Sequence, residues 1–289
     1  MSPIRATLGA ALLSIAVAGT SQAAFELSNG GAYATALGGA LSAGVGSAEA
    51  IWFNPASSAR LSTPRATSTY GRLFAQLEDS PTVHAGSVAW PQQWGALQAG
   101  YQALRLDPWS ETSIVFGAAR VLHPRVALGT EFRFNAWSSG RFGNESLLGG
   151  VGVLYEVGWV TSTTYMRLSA AVANMGGLQG SAAGGRATGR PARTATAGAQ
   201  FIVKGSKVAL DVGRRDGAWE VRTGYEVDAR LGLMFRAGAS AHIDDTVNRT
   251  WHLGIGYEWA KYHFDYAFSH SVDLASFGAT HRFGVGRFF

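Results

Sequence analysis

The chain has 289 residues, no cysteine, 38 glycines and 11% aromatic residues, and its 24 basic and 19 acidic residues leave a net charge of +5. The lack of cysteine excludes a disulfide framework and thiolate metal sites. The basic balance does not point to nucleic acid: Arg133, Arg167, Arg222, Arg236 and Arg282 stand singly, mostly beside acids such as Glu131, Glu220 and Glu226, and form no patch.

Residues 1–23 read as an export signal. Arg5 precedes an apolar run from Ala6 to Gly19, and Ser21-Gln22-Ala23 supplies the small-x-small pattern of a signal peptidase site, so cleavage is expected after Ala23. The run is shorter than the roughly 20 residues of a membrane helix.

Residues 24–63 are rich in Gly and Ala and lack strand alternation, which sets them apart from the rest of the chain; the family resemblance given below implies that they are an N-terminal plug or hatch. Pro55 has no amide proton and pushes Asn54 out of helical geometry, so a short helix across Ser47–Phe53 is expected to stop there, with Asn54 bonding nearby backbone amides. Gly38 and Gly39 allow close approach to a surrounding wall.

From about Pro64 to the end, apolar and small or polar residues alternate with period two, so residues 64–289 are expected to form a barrel of about fourteen strands. Punctuated by turn residues, the first seven run near Ala66–Ala75, Thr82–Trp90, Gly95–Leu106, Glu111–Leu122, Arg125–Trp137, Glu145–Glu156 and Thr164–Asn174. The other seven run near Arg193–Val203, Lys207–Arg214, Trp219–Val227, Arg230–His242, Arg249–Trp259, Lys261–His270 and Ser276–Phe289. Links after odd strands, including Gln76–Pro81, Ser138–Asn144, Met175–Pro191, Ile243–Asn248 and Ser271–Ala275, are longer than those after even strands, such as Pro91–Trp94, His123-Pro124, Lys204–Ser206 and Ala260. Bacterial barrels show that asymmetry, with long loops outside.

The direction of the apolar face separates a membrane barrel from a soluble sandwich. Trp251, Leu253, Ile255, Tyr257 and Trp259 form one unbroken apolar face with an indole at each end. Those eight steps span about 26 Å at roughly 3.3 Å per residue, close to the apolar band between the aromatic girdles of an outer-membrane barrel. Trp219, Tyr262 and Phe268 belong to the same girdles, and Phe283 and Phe289 form a C-terminal barrel-assembly signal. Val208, Leu210 and Val212, Trp219, Val221 and Tyr225, Leu231, Leu233 and Phe235, and Tyr262, Phe264, Tyr266 and Phe268 share one parity within their strands and are expected to face lipid. Opposite parity turns Glu131, Arg133, Asp211, Glu220, Arg222, Glu226, Arg236, His263, Asp265 and Arg282 inward. They are expected to form cross-strand networks that anchor the hatch or line a wet path, the alternative being pairs that only stiffen the wall.

Catalysis has little support. Gly149-Gly150-Val151-Gly152 and Gly254-Ile255-Gly256 lie within strands, with no following helix and no phosphate-loop lysine. His281 has no matched serine and acid, and Asp244, Asp245 and Asn248 read as a solvated turn rather than a calcium loop. No enzyme activity, cofactor or metal is expected.

Ala36 to Ala40 (ALGGA), followed by Ala48 through Ala56 (AEAIWFNPA), resembles the plug of FadL-type barrels, especially the PorV/PorQ-like family. Leu168 to Gly176 (LSAAVANMG) is similar to that family's strand ending in Asn-Leu-Gly, and Tyr266-Ala267-Phe268 with Gly278 and Thr280 to Phe283 is similar to its closing hairpin. Met175 replaces the usual Leu, Ser57 stands where Gly commonly follows, Arg287 breaks the terminal alternation, and the outer loops are short. The resemblance implies a monomeric, fourteen-stranded outer-membrane barrel whose hatch, with Gly38, Gly39, Trp52, Asn54 and Pro55 as gating candidates, admits hydrophobic or amphipathic, fatty-acid-like molecules. The alternative is a PorV-like accessory that binds secreted proteins or scaffolds a surface or secretion complex. Implied partners are outer-membrane lipids, the barrel-assembly machinery, and a hydrophobic ligand or secretion-system proteins.

Overall fold

A computed structural model describes residues 25, 30–140, 142–181, 191–243 and 247–289; the export signal and Asp244 and Asp245 lie outside them. Fourteen antiparallel strands form one closed barrel, each pairing with its neighbours in the chain, and the first closing on the last. They are β1 (Arg65–Arg72), β2 (Thr82–Gln92), β3 (Gly95–Leu106), β4 (Trp109–His123), β5 (Val126–Ser139), β6 (Phe142–Trp159) and β7 (Thr164–Ser181), then β8 (Thr194–Val203), β9 (Ser206–Arg215), β10 (Ala218–Asp228), β11 (Leu233–Ile243), β12 (Val247–Trp259), β13 (Tyr262–Ser271) and β14 (Thr280–Phe288). Arg65 pairs with Phe288 at the seam, so the chain enters and leaves the wall at one end, here the proximal end.

Period two sets the facing of each strand. On β12 the stripe from Trp251 to Trp259 lies on the outer surface, with Trp251 60% and Trp259 63% exposed. Phe283 and Phe289 are also exposed, as are Val208, Leu210, Val212, Trp219 and Tyr225. A soluble fold would turn this face into a core.

Five boundaries differ from the sequence reading. Leu231 is not an outward strand residue: it sits beside Arg230 in a left-handed turn (φ 54 and 75), closed by Leu233 N–H donating to the Arg230 carbonyl at 3.0 Å, and β11 starts at Leu233. β1 ends at Arg72, and the last strand begins only at Thr280, after a 3-10 turn at Ala275–Phe277. The outer loop expected at Ser138–Asn144 is strand on both sides, because β5 and β6 pair up to Ser139↔Phe142. The loop expected at Met175–Pro191 is strand as far as Ser181. There the Asn-Met-Gly-Gly sequence makes a bulge rather than an end. Asn174, Gly176 and Gly177 take positive φ (59, 58 and 109), and the ladder to β6 shifts register around Gly149 and resumes at Leu147↔Leu178.

Residues 31–60 fill the lumen. They form α1 (Ala32–Ala36) and two 3-10 helices, Ala48–Trp52 and Pro55–Arg60. Only six residues separate the Ser47 cap from Asn54, too few for a stable α-helix, so the expected helix is a 3-10 turn. Ser47 Oγ accepts from Glu49 N–H, and Asn54 Oδ1 accepts from Ala56 N–H at 2.9 Å. Pro55 therefore ends one helix and opens the next at N1, where a missing N–H costs nothing.

The plug touches the wall because the wall is glycine there. A Cβ at Gly129 would overlap the backbone of Pro55 and Ala56, and one at Gly254 would overlap Ala36. At Gly224 it would lie 2.7 Å from the Leu37 carbonyl oxygen, and at Gly100 2.8 Å from the Trp52 ring. Gly38 and Gly39, at φ +63 and +76, turn the chain after α1 and bring it against the backbone of Thr223 and Ala239.

Candidate functional site: a plugged lumen with a distal vestibule

Gly38, Gly39, Trp52, Asn54 and Pro55, the gating candidates of the sequence, lie against the wall or an inward side chain of it. Buried Asn54 donates through Nδ2 to the carbonyls of Ser42, at 2.8 Å, and Val153 on β6, at 3.1 Å. The Pro55 carbonyl accepts from Gln98 Nε2 on β3 at 2.5 Å, and Trp52 Nε1 donates to Ser87 Oγ on β2 at 2.9 Å. The Arg133 guanidinium lies 5.3 Å from the Trp52 ring centroid, and Gly39 abuts the Arg222 side chain.

The inward charges divide into separate clusters, each tied to a different part of the plug. Near the proximal end, Arg236 donates to Glu226 at 2.6 Å and to Asp265 at 2.7 Å, and stands 4.6 Å over the Tyr33 ring. Lys207 closes on Glu226 at 2.5 Å, and His263 lies 3.6 Å from Asp265. Across the lumen, Asp211 accepts from Ser42 N–H at 3.0 Å and Ser42 Oγ at 2.6 Å, and Ser42 meets Ser169 at 2.8 Å. Arg282 donates to the Gly30 carbonyl at 2.7 Å. In the distal half, Glu220 pairs with Arg222 and has Arg215 at 3.8 Å, while Arg133 pairs with Glu131 at 2.9 Å.

Several of the partners that hold the plug and the wall were not picked from the sequence. Ser42, Tyr33, Lys207, Glu156 and Arg60 bind across the plug boundary or between wall strands, and Glu49 binds within the plug. Glu49 had a sequence signal: it is one of only two acids in residues 24–63, amid Ala and Gly. Its carboxylate accepts from the N–H groups of Gly31 (3.1 Å) and Ala34 (2.9 Å), and so caps α1 from a remote position. Thr69 on β1 accepts from Ala32 N–H at 3.1 Å and completes the cap.

Burial pushes the Glu49 carboxyl up to about 7, while the Ala34 and Gly31 amides pull it down to a lesser extent. Because the folded value lies above the ordinary one, its contribution to plug seating is complete below the unfolded pKa of about 4.5 and is lost as pH rises through about 7. Ion leak through the barrel in liposomes is therefore expected to increase between about pH 4.5 and pH 7 and to level off above that. Glu49→Gln, which stays neutral, is expected to flatten that dependence.

Two adjoining cavities open above the plug, among the strand ends where the longer links lie. One, of about 370 Å³, has Thr35, Gly38 and Gly39 as its floor and the distal ends of β11 to β14 as its wall. The other, of about 80 Å³, lies over Trp52 and Phe53, against Ser113, Asn135 and Thr196. Arg215 and Arg222 border both. Among the described residues, no cluster of three or more His, Cys, Asp or Glu is placed to hold a metal ion.

A closed fourteen-stranded antiparallel barrel, apolar outside and filled by its own N-terminal segment, has the architecture of outer-membrane barrels. The chain is similar in fold to the toluene transporter TodX of Pseudomonas putida, with a TM-score of 0.59 and 12% identity over 90% of this chain and 99% of that one. It is similarly related to a FadL homologue of Pseudomonas aeruginosa, with a TM-score of 0.58 and 9% identity over 90% and 98% of the two chains. CdiB from Acinetobacter baumannii matches at a TM-score of 0.50 and 6% identity, over 79% of this chain and 60% of that one. At these identities the likeness is one of fold. No family model matches the chain, and no curated protein matches it in sequence.

Proposed function

We propose that the protein is a monomeric outer-membrane channel that admits small amphipathic molecules from the distal vestibule past its N-terminal hatch, as a FadL-type barrel of the PorV/PorQ-like kind. The observation that carries this reading is a lumen closed by residues 31–60 beneath a vestibule at the end of the longer links. The fold shared with proteins described as a toluene transporter and a FadL homologue supports it. The vestibule favours an amphipathic substrate over a wholly apolar one, because its lining combines apolar surface, from Leu73, Phe74 and Leu274 among others, with polar side chains on its floor and wall. Membrane lipids bathe the outer stripes.

Deleting residues 24–56 in proteoliposomes is expected to raise leakage of small solutes and abolish selective uptake. Unchanged flux would refute hatch gating. One observation favours an accessory role in binding secreted proteins: the plug is bonded to β2, β3, β6, β9 and β14, a fixed stopper rather than a loose one. Recovery of a secreted or secretion-system protein with the intact barrel, together with no flux, would select that role.

A further inference from the structure

We infer that the larger vestibule cavity is a recognition site for a small oxyanion carried on a hydroxylated skeleton. The inference rests on the channel reading for access from the distal side, and adds to it the chemistry of the molecule received.

Charge comes first. Arg215 and Arg222 border the cavity, against one carboxylate, Glu220. Glu220 is within ion-pair distance of both Arg215 and Arg222, so a single negative charge is shared between two guanidinium groups. The surplus is positive inside a wall of low dielectric, where a planar guanidinium matches the oxygens of a carboxylate or phosphate. Gly39 sets the position of Arg222, since a Cβ there would lie 3.2 Å from its Cδ.

The rest of the wall supplies hydrogen bonds. His252 on β12 lies between two hydroxyls, with Nε2 3.1 Å from Ser240 Oγ on β11 and Nδ1 2.8 Å from Ser269 Oγ on β13. A neutral imidazole donates from one nitrogen and accepts at the other. The serine that accepts from it therefore keeps a proton to give, and the serine that donates to it keeps its lone pairs. Thr250 and Ser271 border the same face. An acyl chain seated there would strip these groups of water and offer nothing in return, which a buried polar group resists strongly. Sugar-like hydroxyls restore each bond, and about 370 Å³ lies within the size range of small-molecule sites.

The test is titration calorimetry on the full-length protein in detergent with four probes: gluconate, glucose 6-phosphate, glucose and octanoate. Saturable binding of gluconate or glucose 6-phosphate is expected, weakened by salt, with glucose at least about tenfold weaker and octanoate weaker than gluconate. Arg222→Gln is expected to reduce gluconate affinity about tenfold or more. Ser240→Ala, a smaller change at the far wall, is expected to reduce it severalfold, and it carries the test if the arginine variant loses its heat-modifiable gel mobility. Tighter binding of octanoate, insensitive to Arg222→Gln, would overturn the proposal, as would no saturable binding of either hydroxylated anion. Octanoate flux without gluconate binding would overturn the site and leave the channel reading standing. Gluconate binding without flux of any probe would uphold the site and overturn the channel.

Discussion

Arg236→Met is expected to destabilise the folded barrel by about 3–5 kcal/mol, the cost of removing one partner from a buried ion cluster. Arg236 bonds Glu226 and Asp265 together, and its side chain and those of the two acids are each under 5% exposed. Without it, among the described residues, Asp265 keeps only His263 and Glu226 keeps only Lys207 within ion-pair distance. Two buried carboxylates would then be left with too little positive charge, and Tyr33 of the plug would lose the cation over its ring. Urea unfolding in detergent, followed by heat-modifiable mobility, measures the loss. The penalty comes from stranded carboxylates rather than from lost attraction, so adding Glu226→Gln and Asp265→Asn to Arg236→Met is expected to recover a large part of it. A triple variant as unstable as the single one would refute this explanation.

Gly129→Val is expected to unseat the plug. The inward hydrogen of Gly129 faces the backbone at Pro55 and Ala56, and a valine there meets main chain rather than a side chain that can swing aside. Overpacking costs about 1–3 kcal/mol where neighbours can yield. Here the second 3-10 helix is also pinned by Gln98 and Asn54, so the strain is relieved by displacement of the whole turn. Leak through reconstituted barrels and proteolysis within residues 31–60 are both expected to rise. Gly149→Ala is the control: its Cβ would lie 3.8 Å from the carbonyl oxygens of Glu131 and Met175, ordinary contact, and no change is expected. A Gly129→Val barrel as tight and protease-resistant as the parent would show that the plug does not depend on this approach.

The wall was legible because its signals are local. One outward residue in every two, set against lipid, leaves a parity that can be followed from Trp251 to Trp259. Parity fails where an end is set by left-handed backbone, as at Leu231, or where a bulge carries a strand through glycines, as in β7. The 3-10 turn at Ala48–Trp52 was read as a helix because Pro55 and Asn54 mark the stop, while the short spacing from Ser47 decides its type.

The sequence by itself determined the barrel: the number of strands, the greasy exterior, the ionised interior, and a separate Gly- and Ala-rich segment before Pro64. Only the tertiary structure decided which charges meet and why the segment fits. Ser42 and Asp211 are 169 positions apart and Gly30 and Arg282 are 252 apart, so each meeting depends on the diameter and stagger of the closed wall. A glycine facing the lumen looks the same in sequence whether it opens space for water or for another backbone. At Gly129 and Gly254 that space belongs to the plug, because no other residue lets two main chains approach so closely.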